Sequence, residues 1–329
     1  MNKEFAFQWH ITDFCNLRCK HCYQDRFDKE RDLSFEVLEK IIFNIIKTLK
    51  EHNYSFLIIN ITGGEPLISE NLFPILNILE REKFVKEFYI ITNGIFLNKF
   101  LDKLSLYKKL KYLKISLEGG KEETNDMIRG LGNFKRIIEI LMNISLEKVL
   151  MFTLAKYNYK EIPEMINLTD RINGKGLILE RFIPLGRGKN LFDKTLNANE
   201  WYDVCKIISD IYNINPKDLL PYKAFYLDLE KDELYGALCN IGDESMCLMP
   251  NGIVYPCRRL PIQIGDLKLE DFSDIISRLR SFKMKILKER LKGKCSSCDI
   301  KECTGCRALT YNLKGDLLGE DPQCFYLKF

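Results

Sequence analysis

The run Cys15-Asn16-Leu17-Arg18-Cys19-Lys20-His21-Cys22-Tyr23 places three cysteines within eight residues. Three thiolates at this spacing can hold three irons of a cubane [4Fe–4S] cluster, which normally takes four thiolate ligands. The sequence offers no fourth cysteine nearby, so the fourth iron would keep an open coordination position. An open position is what makes a metal site catalytic rather than structural. The alternative is a zinc site, for which His21 is the nearby fourth ligand.

The other cysteines form a second block. Eight of the 12 cysteines lie between residues 239 and 324, and Cys205 stands alone between the two blocks. The chain has only 3 histidines, which favours thiolate-ligated iron over the mixed Cys/His sites of catalytic zinc. We expect a cytoplasmic protein, in which so many cysteines would not form disulfides.

Composition limits the class of protein. The chain has 329 residues, enough for one large domain and a small one, and 46% of them are hydrophobic. Its 50 basic and 46 acidic residues nearly balance, so no nucleic-acid footprint is indicated. No apolar stretch approaches the ~20 residues of a membrane helix, and the N-terminus does not resemble a signal peptide.

Short apolar runs alternate with stretches of helical period up to about residue 213. The six predicted strands are Phe5–Ile11, Phe56–Thr62, Glu87–Thr92, Tyr112–Leu117, Val149–Leu154 and Leu177–Phe182. The predicted helices cover 34–50, 68–82, 96–107, 133–144, 160–172 and 197–213. Six β-α units in this order predict an α/β fold with a parallel sheet, whose chemistry lies at the carboxyl ends of the strands.

The pattern changes beyond residue 213. Residues 214–233 have weak periodicity and include Pro216 and Pro221, so we interpret them as a bridge. Residues 234–329 hold the eight later cysteines. A module of this size and composition would depend on metals for its fold.

The loop Gly63-Gly64-Glu65-Pro66 directly follows the second predicted strand. Glycines there let backbone carbonyls approach a ligand closely, and a carboxylate can receive an ammonium group. With the three cysteines upstream, this loop resembles that of the radical S-adenosylmethionine (SAM) enzymes. The resemblance implies that the free iron chelates the amino and carboxylate groups of SAM, and that Gly63, Gly64, Glu65 and Pro66 bind its amino group.

The same resemblance assigns further cofactor-binding residues. His21 would be a shape element beside the adenine, and Asn93 follows the third strand in the loop Thr92-Asn93-Gly94. Ser116 and Glu118 would contact the ribose and the methionine carboxylate, or be ordinary strand-end residues. Arg129 would steady the SAM carboxylate or cap a helix. The loop 181–188 after the sixth strand contains Arg181 and Arg187, which would face substrate or solvent.

The C-terminal cysteines resemble the SPASM domain found in one branch of this family, although two gaps are one residue shorter than usual. The resemblance implies two auxiliary [4Fe–4S] clusters, hence three in all. A first set would be Cys239, Cys247, Cys257 and Cys306, and a second set would be Cys295, Cys298, Cys303 and Cys324. A pair of four-cysteine zinc sites is the alternative. The fold implied is a partial (β/α)6 TIM-like barrel (1–213), the bridge (214–233) and a cysteine-rich iron–sulfur SPASM domain (234–329).

The resemblance implies a radical SAM oxidoreductase or maturase, which reductively cleaves SAM and uses the 5′-deoxyadenosyl radical to take a hydrogen atom. Auxiliary clusters without an open iron would move electrons, which favours an oxidative outcome. We expect a residue of a peptide or protein as substrate. The alternative is a small molecule, as in decarboxylation of tetrapyrrole propionates in haem biosynthesis. A third hypothesis is a non-catalytic iron–sulfur electron carrier or redox sensor.

The expected partners are a low-potential electron donor such as flavodoxin or ferredoxin and, for a peptide substrate, a separate peptide-recognition protein. Sulfatase maturation is disfavoured, because Arg258 stands after Cys257 where an acidic base is expected. No substrate-side catalytic residue can be named from the sequence. Cys205 is expected to be buried, with a hydrogen-atom donor as its alternative role.

Overall fold

The computed structural model describes residues 3–242 and 245–326. In the first part of the chain, strands and helices alternate as β1 (Glu4–His10), α1 (Phe35–Glu51), β2 (Phe56–Thr62), α2 (Leu72–Arg81), β3 (Val85–Thr92), α3 (Leu101–Leu104), β4 (Leu110–Ser116), α4 (Glu122–Arg129), α5 (Asn133–Met142), β5 (Lys148–Leu154), α6 (Ile162–Arg171), β6 (Gly176–Arg181) and α7 (Ala198–Tyr212). The later elements are β7 (Ala224–Asp228), β8 (Glu233–Ala237), β9 (Ser245–Leu248), β10 (Ile253–Tyr255), β11 (Gly265–Asp266), α8 (Phe272–Lys285), α9 (Lys294–Ser297) and α10 (Arg307–Lys314). Short 3-10 helices occupy Pro66–Ile68, Leu97–Lys99, Tyr159–Glu161, Gly186–Lys194, Pro216–Leu219 and Lys288–Arg290.

All the described strands belong to one open sheet in the order β11-β10-β9-β1-β2-β3-β4-β5-β6-β7-β8. Strands β1 to β6 pair in parallel, as the sequence predicts, and form a partial barrel. Each of these strands begins and ends within two residues of its predicted limits. The C-terminal half extends both edges, because β9 pairs in parallel with β1 and β7 pairs antiparallel with β6. The predicted bridge therefore contains a strand of the sheet.

Side chains alternate between the two faces of these strands, as the period of two requires. On β1, Phe5, Phe7 and Trp9 are buried among the helices, whereas Gln8 points into the barrel and lines its cavity. The other strands repeat this pattern, with apolar residues outward. The residues lining the cavity from the inner face are Gln8, Asn60, Thr62, Ile91, Lys114, Ser116, Met151, Thr153, Ile178 and Glu180. The barrel interior is therefore largely polar.

Most of the predicted helices are present, with two differences. The segment predicted as one helix over 96–107 is divided, because Phe100 has non-helical dihedral angles (φ −127°) between Leu97–Lys99 and α3. Helix α4 is not among the predicted helices. Its buried face consists largely of Asn125, Asp126 and Arg129, so it lacks the apolar period that reveals a helix.

Helix α7 shows how local sequence sets an element boundary. The Asn197 side chain accepts hydrogen bonds from the backbone N–H groups of Asn199 and Glu200, and Glu200 accepts one from the backbone N–H of Asn197. This capping box satisfies donors that have no partner within the helix.

No helix in the described part of the chain is both long and apolar enough to cross a membrane.

We predict that Phe272→Ala destabilises the protein by about 3–5 kcal/mol, the usual cost of deleting a buried aromatic ring. Phe272 on α8 is fully buried and packs edge-to-face against Phe5 of β1, with 5.8 Å between ring centroids. The measurement is the midpoint of urea-induced unfolding under anaerobic conditions. Phe43→Ala is the control, because Phe43 on α1 is 42% exposed and its loss should change the midpoint little. Equal shifts for the two variants would contradict this packing.

Candidate active site

One cavity of about 360 Å³ lies at the carboxyl ends of the barrel strands. We call it the active cavity. The predicted site residues that line it are Cys15, Cys19, His21, Cys22, Gly63, Gly64, Asn93, Ser116, Glu118 and Arg129. These residues come from the loops after β1 to β4 and from α4, so the fold brings together most of the site predicted from the sequence. Glu65, Pro66 and Cys205 do not line it.

The three cysteines share one wall of the active cavity and are partly withdrawn from solvent. Burial raises the pKa of the Cys15 thiol to about 12 and that of Cys22 to about 11, and it also raises the pKa of Cys19. Without a metal these thiols are protonated, so binding iron would release protons.

A single ion and a cubane make different demands on these ligands. Among residues 3–242 and 245–326, no three His, Cys, Asp or Glu side chains converge closely enough to hold a single metal ion. A cubane instead spreads its thiolates over separate irons. Three thiols on one wall of a shared cavity fit that larger group.

The glycine loop after β2 is hydrogen bonded to the start of the cysteine loop. Gly64 donates its N–H to Thr12 O at 2.8 Å, and Glu65 donates to Phe14 O at 2.9 Å. A Cβ atom on Gly64 would lie 2.3 Å from Phe14 O, closer than any real contact allows. Glycine is therefore required at position 64 for the two loops to meet beside Cys15.

Glu65 lies behind the cavity wall. It is fully buried, and its carboxylate accepts hydrogen bonds from the Thr92 hydroxyl at 2.7 Å and from the backbone N–H of Asn93 at 2.8 Å and of Leu67 at 3.1 Å. Burial raises the pKa of Glu65 to about 6 despite these hydrogen bonds. In this conformation the carboxylate holds the β2 and β3 loops together. The atoms of the loop that face the cavity belong to Gly63 and Gly64.

Asn93 links the β3 loop to the cysteine loop, since its amide donates to Asn16 Oδ1 at 2.9 Å. Pro66 is buried at the first position of the 3-10 helix Pro66–Ile68, where it starts a turn. It therefore shapes the glycine loop from behind the cavity.

His21, Glu118 and Arg129 form a charged group on the cavity wall. Glu118 Oε1 lies 2.7 Å from Arg129 Nη2 and 3.2 Å from His21 Nε2. Burial would raise the pKa of Glu118, but the charges of His21 and Arg129 outweigh it and hold that pKa below its ordinary value. Arg129 is the last residue of α4, and its Nε is buried without a hydrogen-bond partner.

The polar residues around α4 have a structural role. Asn125 Oδ1 accepts the backbone N–H of Glu118 at 3.1 Å, and Asp126 accepts those of Gly132 and Phe134 at 2.5 and 2.8 Å. These bonds fix the turn between α4 and α5. They also hold the backbone of Glu118 in place.

The floor of the active cavity contains residues that the sequence alone does not single out as ligands. Lys114 lies on the inner face of β4, where its Nζ donates to Asn60 Oδ1 at 2.6 Å. Burial lowers the pKa of Lys114 to about 8, although Glu180 and Glu87 oppose the shift. Its position two residues before Ser116, with the apolar Leu113 and Ile115 on either side, was the available signal for an inward-facing side chain.

Arg258 and Arg259 also line the active cavity. Arg259 pairs with Glu180 through two contacts of 3.2 Å. Arg258 is only 7% exposed and lies over the Tyr23 ring, 4.2 Å from its centroid. Its Nε is buried without a hydrogen-bond partner, and it forms no ion pair with any described residue.

The second cysteine set surrounds a cavity of its own. Cys295, Cys298, Cys303 and Cys324 all line a small space of about 20 Å³. In the first set, Cys239, Cys257 and Cys306 pack in one hydrophobic cluster. Cys247 lies on β9, adjacent to Gln8 of β1, so this set lies beside the barrel interior.

The remaining candidates are separated by the structure. Cys205 is fully buried in the core on α7 and does not line the active cavity. Arg187 is exposed. Arg181 is buried, pairs with Asp321 at 2.7 Å and lines the active cavity.

Comparisons with known proteins agree with this geometry. Residues 9–169 match the family model of the radical SAM superfamily, and residues 239–299 match SPASM, an iron–sulfur cluster-binding domain. The AdoMet-dependent heme synthase of Methanosarcina barkeri is 26% identical over 97% of this chain and 95% of that protein. The mycofactocin maturase MftC of Mycolicibacterium smegmatis is 25% identical over 96% of this chain and 81% of that protein.

Solved structures share the fold. Streptococcus suis SuiB bound to its precursor peptide SuiA has a TM-score of 0.73 at 16% identity, covering 99% of this chain and 76% of that chain. The enzyme anSMEcpe with bound AdoMet has a TM-score of 0.70 at 17% identity, covering 98% of this chain and 95% of that chain.

We predict that Gly64→Ala lowers the rate of SAM cleavage about 100-fold, because the added Cβ forces the glycine and cysteine loops apart. The measurement is 5′-deoxyadenosine formation by the anaerobically reconstituted, reduced protein. Gly319→Ala is the control, since a Cβ at that glycine meets its nearest neighbour at 3.4 Å. A Gly64→Ala protein as active as this control would show that the contact between the two loops is dispensable.

We predict that Glu118→Gln destabilises the protein by about 3–5 kcal/mol, because it leaves the buried Arg129 without its counter-charge. Urea-induced unfolding of the holoprotein measures this, with Glu123→Gln as the control, because Glu123 is exposed on α4, the helix that carries Arg129.

The pH dependence of the Glu118→Gln effect follows from the lowered pKa of Glu118. Its stabilising contribution is complete above the unfolded pKa of about 4.3 and is lost only as the pH falls through the lower folded pKa. The difference between wild type and Glu118→Gln should therefore not shrink as the pH falls from about 7 to about 5. A difference that shrinks across this range would mean that the folded pKa is raised.

Proposed function

This chain belongs to the radical SAM superfamily and carries a SPASM domain, and we propose that it oxidises a substrate that presents a carboxylate. The specific reaction that we favour is the decarboxylation of propionate side chains of an iron tetrapyrrole in haem biosynthesis. The observation that carries the proposal is the pair of cations, Lys114 and Arg258, which line the active cavity without any ion-pair partner among the described residues. The chain is thus a radical SAM enzyme whose cavity favours an anionic group.

The resident groups proposed here fit the cysteines of the chain. Cys15, Cys19 and Cys22 would hold the SAM-binding cluster, and the two C-terminal cysteine sets would hold two auxiliary [4Fe–4S] clusters. When bound, SAM and its cluster supply a radical that takes a hydrogen atom from the substrate. We propose that a low-potential carrier such as flavodoxin or ferredoxin supplies the electron.

The chain's own residues would position SAM. The backbone of Gly63 and Gly64 would face its amino group, and the Arg129 guanidinium, with its unpartnered Nε, would face its carboxylate. Ser116 and Glu118 lie on the same wall as candidates for the ribose. Glu65 acts by holding the β2 and β3 loops, and His21 by shaping the wall beside Glu118.

The cations would then position the substrate. Removal of one hydrogen atom by the radical and of one electron, which a proposed auxiliary cluster would accept, converts a propionate into a vinyl group and carbon dioxide. The carboxylate must therefore be held while a neighbouring C–H bond stays exposed. Arg258 offers a planar guanidinium that can bind a carboxylate through two hydrogen bonds. Lys114 offers a second positive charge on the cavity floor, and its burial strengthens the attraction.

The charges in the active cavity and the similarity to a heme synthase favour the same class of substrate. A carboxylate in the cavity would offset the cost of burying Lys114 and Arg258, which otherwise have no ion-pair partner among the described residues. The heme synthase from Methanosarcina barkeri aligns with nearly the whole chain. We therefore propose the tetrapyrrole as the substrate ahead of the peptide that the sequence favours.

A peptide or protein residue is the second candidate. It is favoured by the mycofactocin maturase, which also aligns with nearly the whole chain, and by the fold shared with peptide-bound SuiB. The same two cations would then bind an acidic side chain or a C-terminal carboxylate of the peptide.

The test uses reconstituted, reduced holoenzyme with SAM and an iron porphyrin carrying propionates, compared with its propionate methyl esters. We predict that the free acid, and not the ester, stimulates formation of 5′-deoxyadenosine and carbon dioxide. Arg258→Gln should raise the KM for the porphyrin about 10- to 100-fold, the value of one charge-assisted hydrogen bond, whereas Arg258→Lys should raise it less.

Arg171→Gln is the matched control, because Arg171 on α6 is an exposed arginine that does not line the active cavity. Equal turnover of acid and ester would contradict binding through a carboxylate. Stimulation of 5′-deoxyadenosine formation only by the polypeptide fraction of a cell extract would favour the second candidate.

A further inference from the structure

Arg181 lines two cavities at once, the active cavity and the small cavity of the second cysteine set. It is the last residue of β6, and its side chain is 4% exposed. The positively charged Arg181 therefore forms part of the wall between the active cavity and the site of a proposed auxiliary cluster.

The guanidinium of Arg181 is held from three sides. Its Nη1 donates to Asp321 Oδ2 at 2.7 Å, and its Nη2 donates to the Tyr222 carbonyl at 3.0 Å. It also lies over the Trp201 ring, 4.2 Å from the ring centroid. A charge fixed in this way cannot turn away from the clusters when their charge changes.

Asp321 connects the same pair to both cysteine sets. Its Oδ2 atom also accepts the backbone N–H of Cys306 at 2.7 Å, which belongs to the first set. Its backbone carbonyl accepts the N–H of Cys324 at 3.1 Å, which belongs to the second set. Asp321 itself lines the small cavity but not the active cavity. The ion pair is thus in hydrogen-bond contact with a proposed ligand of each auxiliary cluster.

Reduction adds a negative charge to a cluster, so a nearby cation stabilises the reduced form and raises the potential, while an anion lowers it. Both members of this pair are buried, so water screens their charges weakly.

We propose that the Arg181–Asp321 ion pair sets the reduction potentials of the auxiliary clusters, with Arg181 raising them and Asp321 lowering them. This inference rests on the proposed cluster assignment. Arg181 would then act on the auxiliary clusters that accept the electron from the substrate, and would not bind the substrate itself.

The test is redox titration of the reconstituted holoenzyme, followed by electron paramagnetic resonance of the auxiliary clusters. Arg181→Gln should lower at least one auxiliary potential, and Asp321→Asn, which keeps the shape of the side chain, should raise at least one. Arg181→Lys retains the charge and should leave the potentials closer to wild type than Arg181→Gln does. Arg187→Gln, which removes an exposed arginine of the same loop, should leave them unchanged.

Opposite shifts for the two members of the pair would support the proposal, since loosened packing alone has no reason to change sign. Unchanged potentials with wild-type iron content, or shifts in the same direction, would overturn it. Loss of the auxiliary clusters from all three pair variants would also overturn it, by showing that the pair is a structural clamp. A wild-type protein with only about 4 irons would instead remove the cluster assignment, and iron analysis shows this before any titration.

Discussion

The two-residue period of the six parallel strands is the constraint on which the site depends. One face of each strand must pack against helices, so the other face turns inward and lines a cavity. The loops that carry the cysteines and glycines follow the carboxyl ends of these strands and therefore meet at one end of that cavity. The same alternation places Lys114 on the floor, because it lies between the outward-facing Leu113 and Ile115.

The C-terminal half extends the open sheet at both edges, and this arrangement links the proposed auxiliary sites to the active cavity. Strand β9 carries Cys247 to the side of β1, while β7 pairs with β6, whose last residue is Arg181. One cysteine set thus adjoins the barrel interior, and the other lies behind a buried ion pair. The geometry supports an oxidative reaction, since an electron released in the cavity has acceptors proposed on its border.

The sequence predicted the barrel and most of the cavity wall because those features depend on local signals. Apolar runs of the right length identified all six barrel strands, and the Cys15–Cys22 and Gly63–Pro66 loops have specific spacing. Helix α4 was not predicted, because its buried face is polar and has no apolar period. That face is stabilised by contacts with the β4 loop and the α4–α5 turn. Two backbone N–H groups and a hydroxyl hold the Glu65 carboxylate behind the wall, and two of these partners belong to Thr92 and Asn93, which only the tertiary structure brings near. The contact of Glu65 with SAM stays a prediction. Arg181 has a distant ion-pair partner, Asp321, whereas Arg258 has none among the described residues. This difference depends on tertiary structure and cannot be read from the sequence.

The measurement that tests the account most directly is electron–nuclear double resonance on the reduced protein with SAM labelled with ¹⁵N at its amino group. If Cys15, Cys19 and Cys22 leave one iron open in the active cavity, the reduced cluster should show a hyperfine coupling to this nitrogen. The coupling should be absent from a Cys19→Ala variant. A reduced wild-type protein that binds SAM without any such coupling would contradict the assignment of this cavity as the site where SAM meets the cluster.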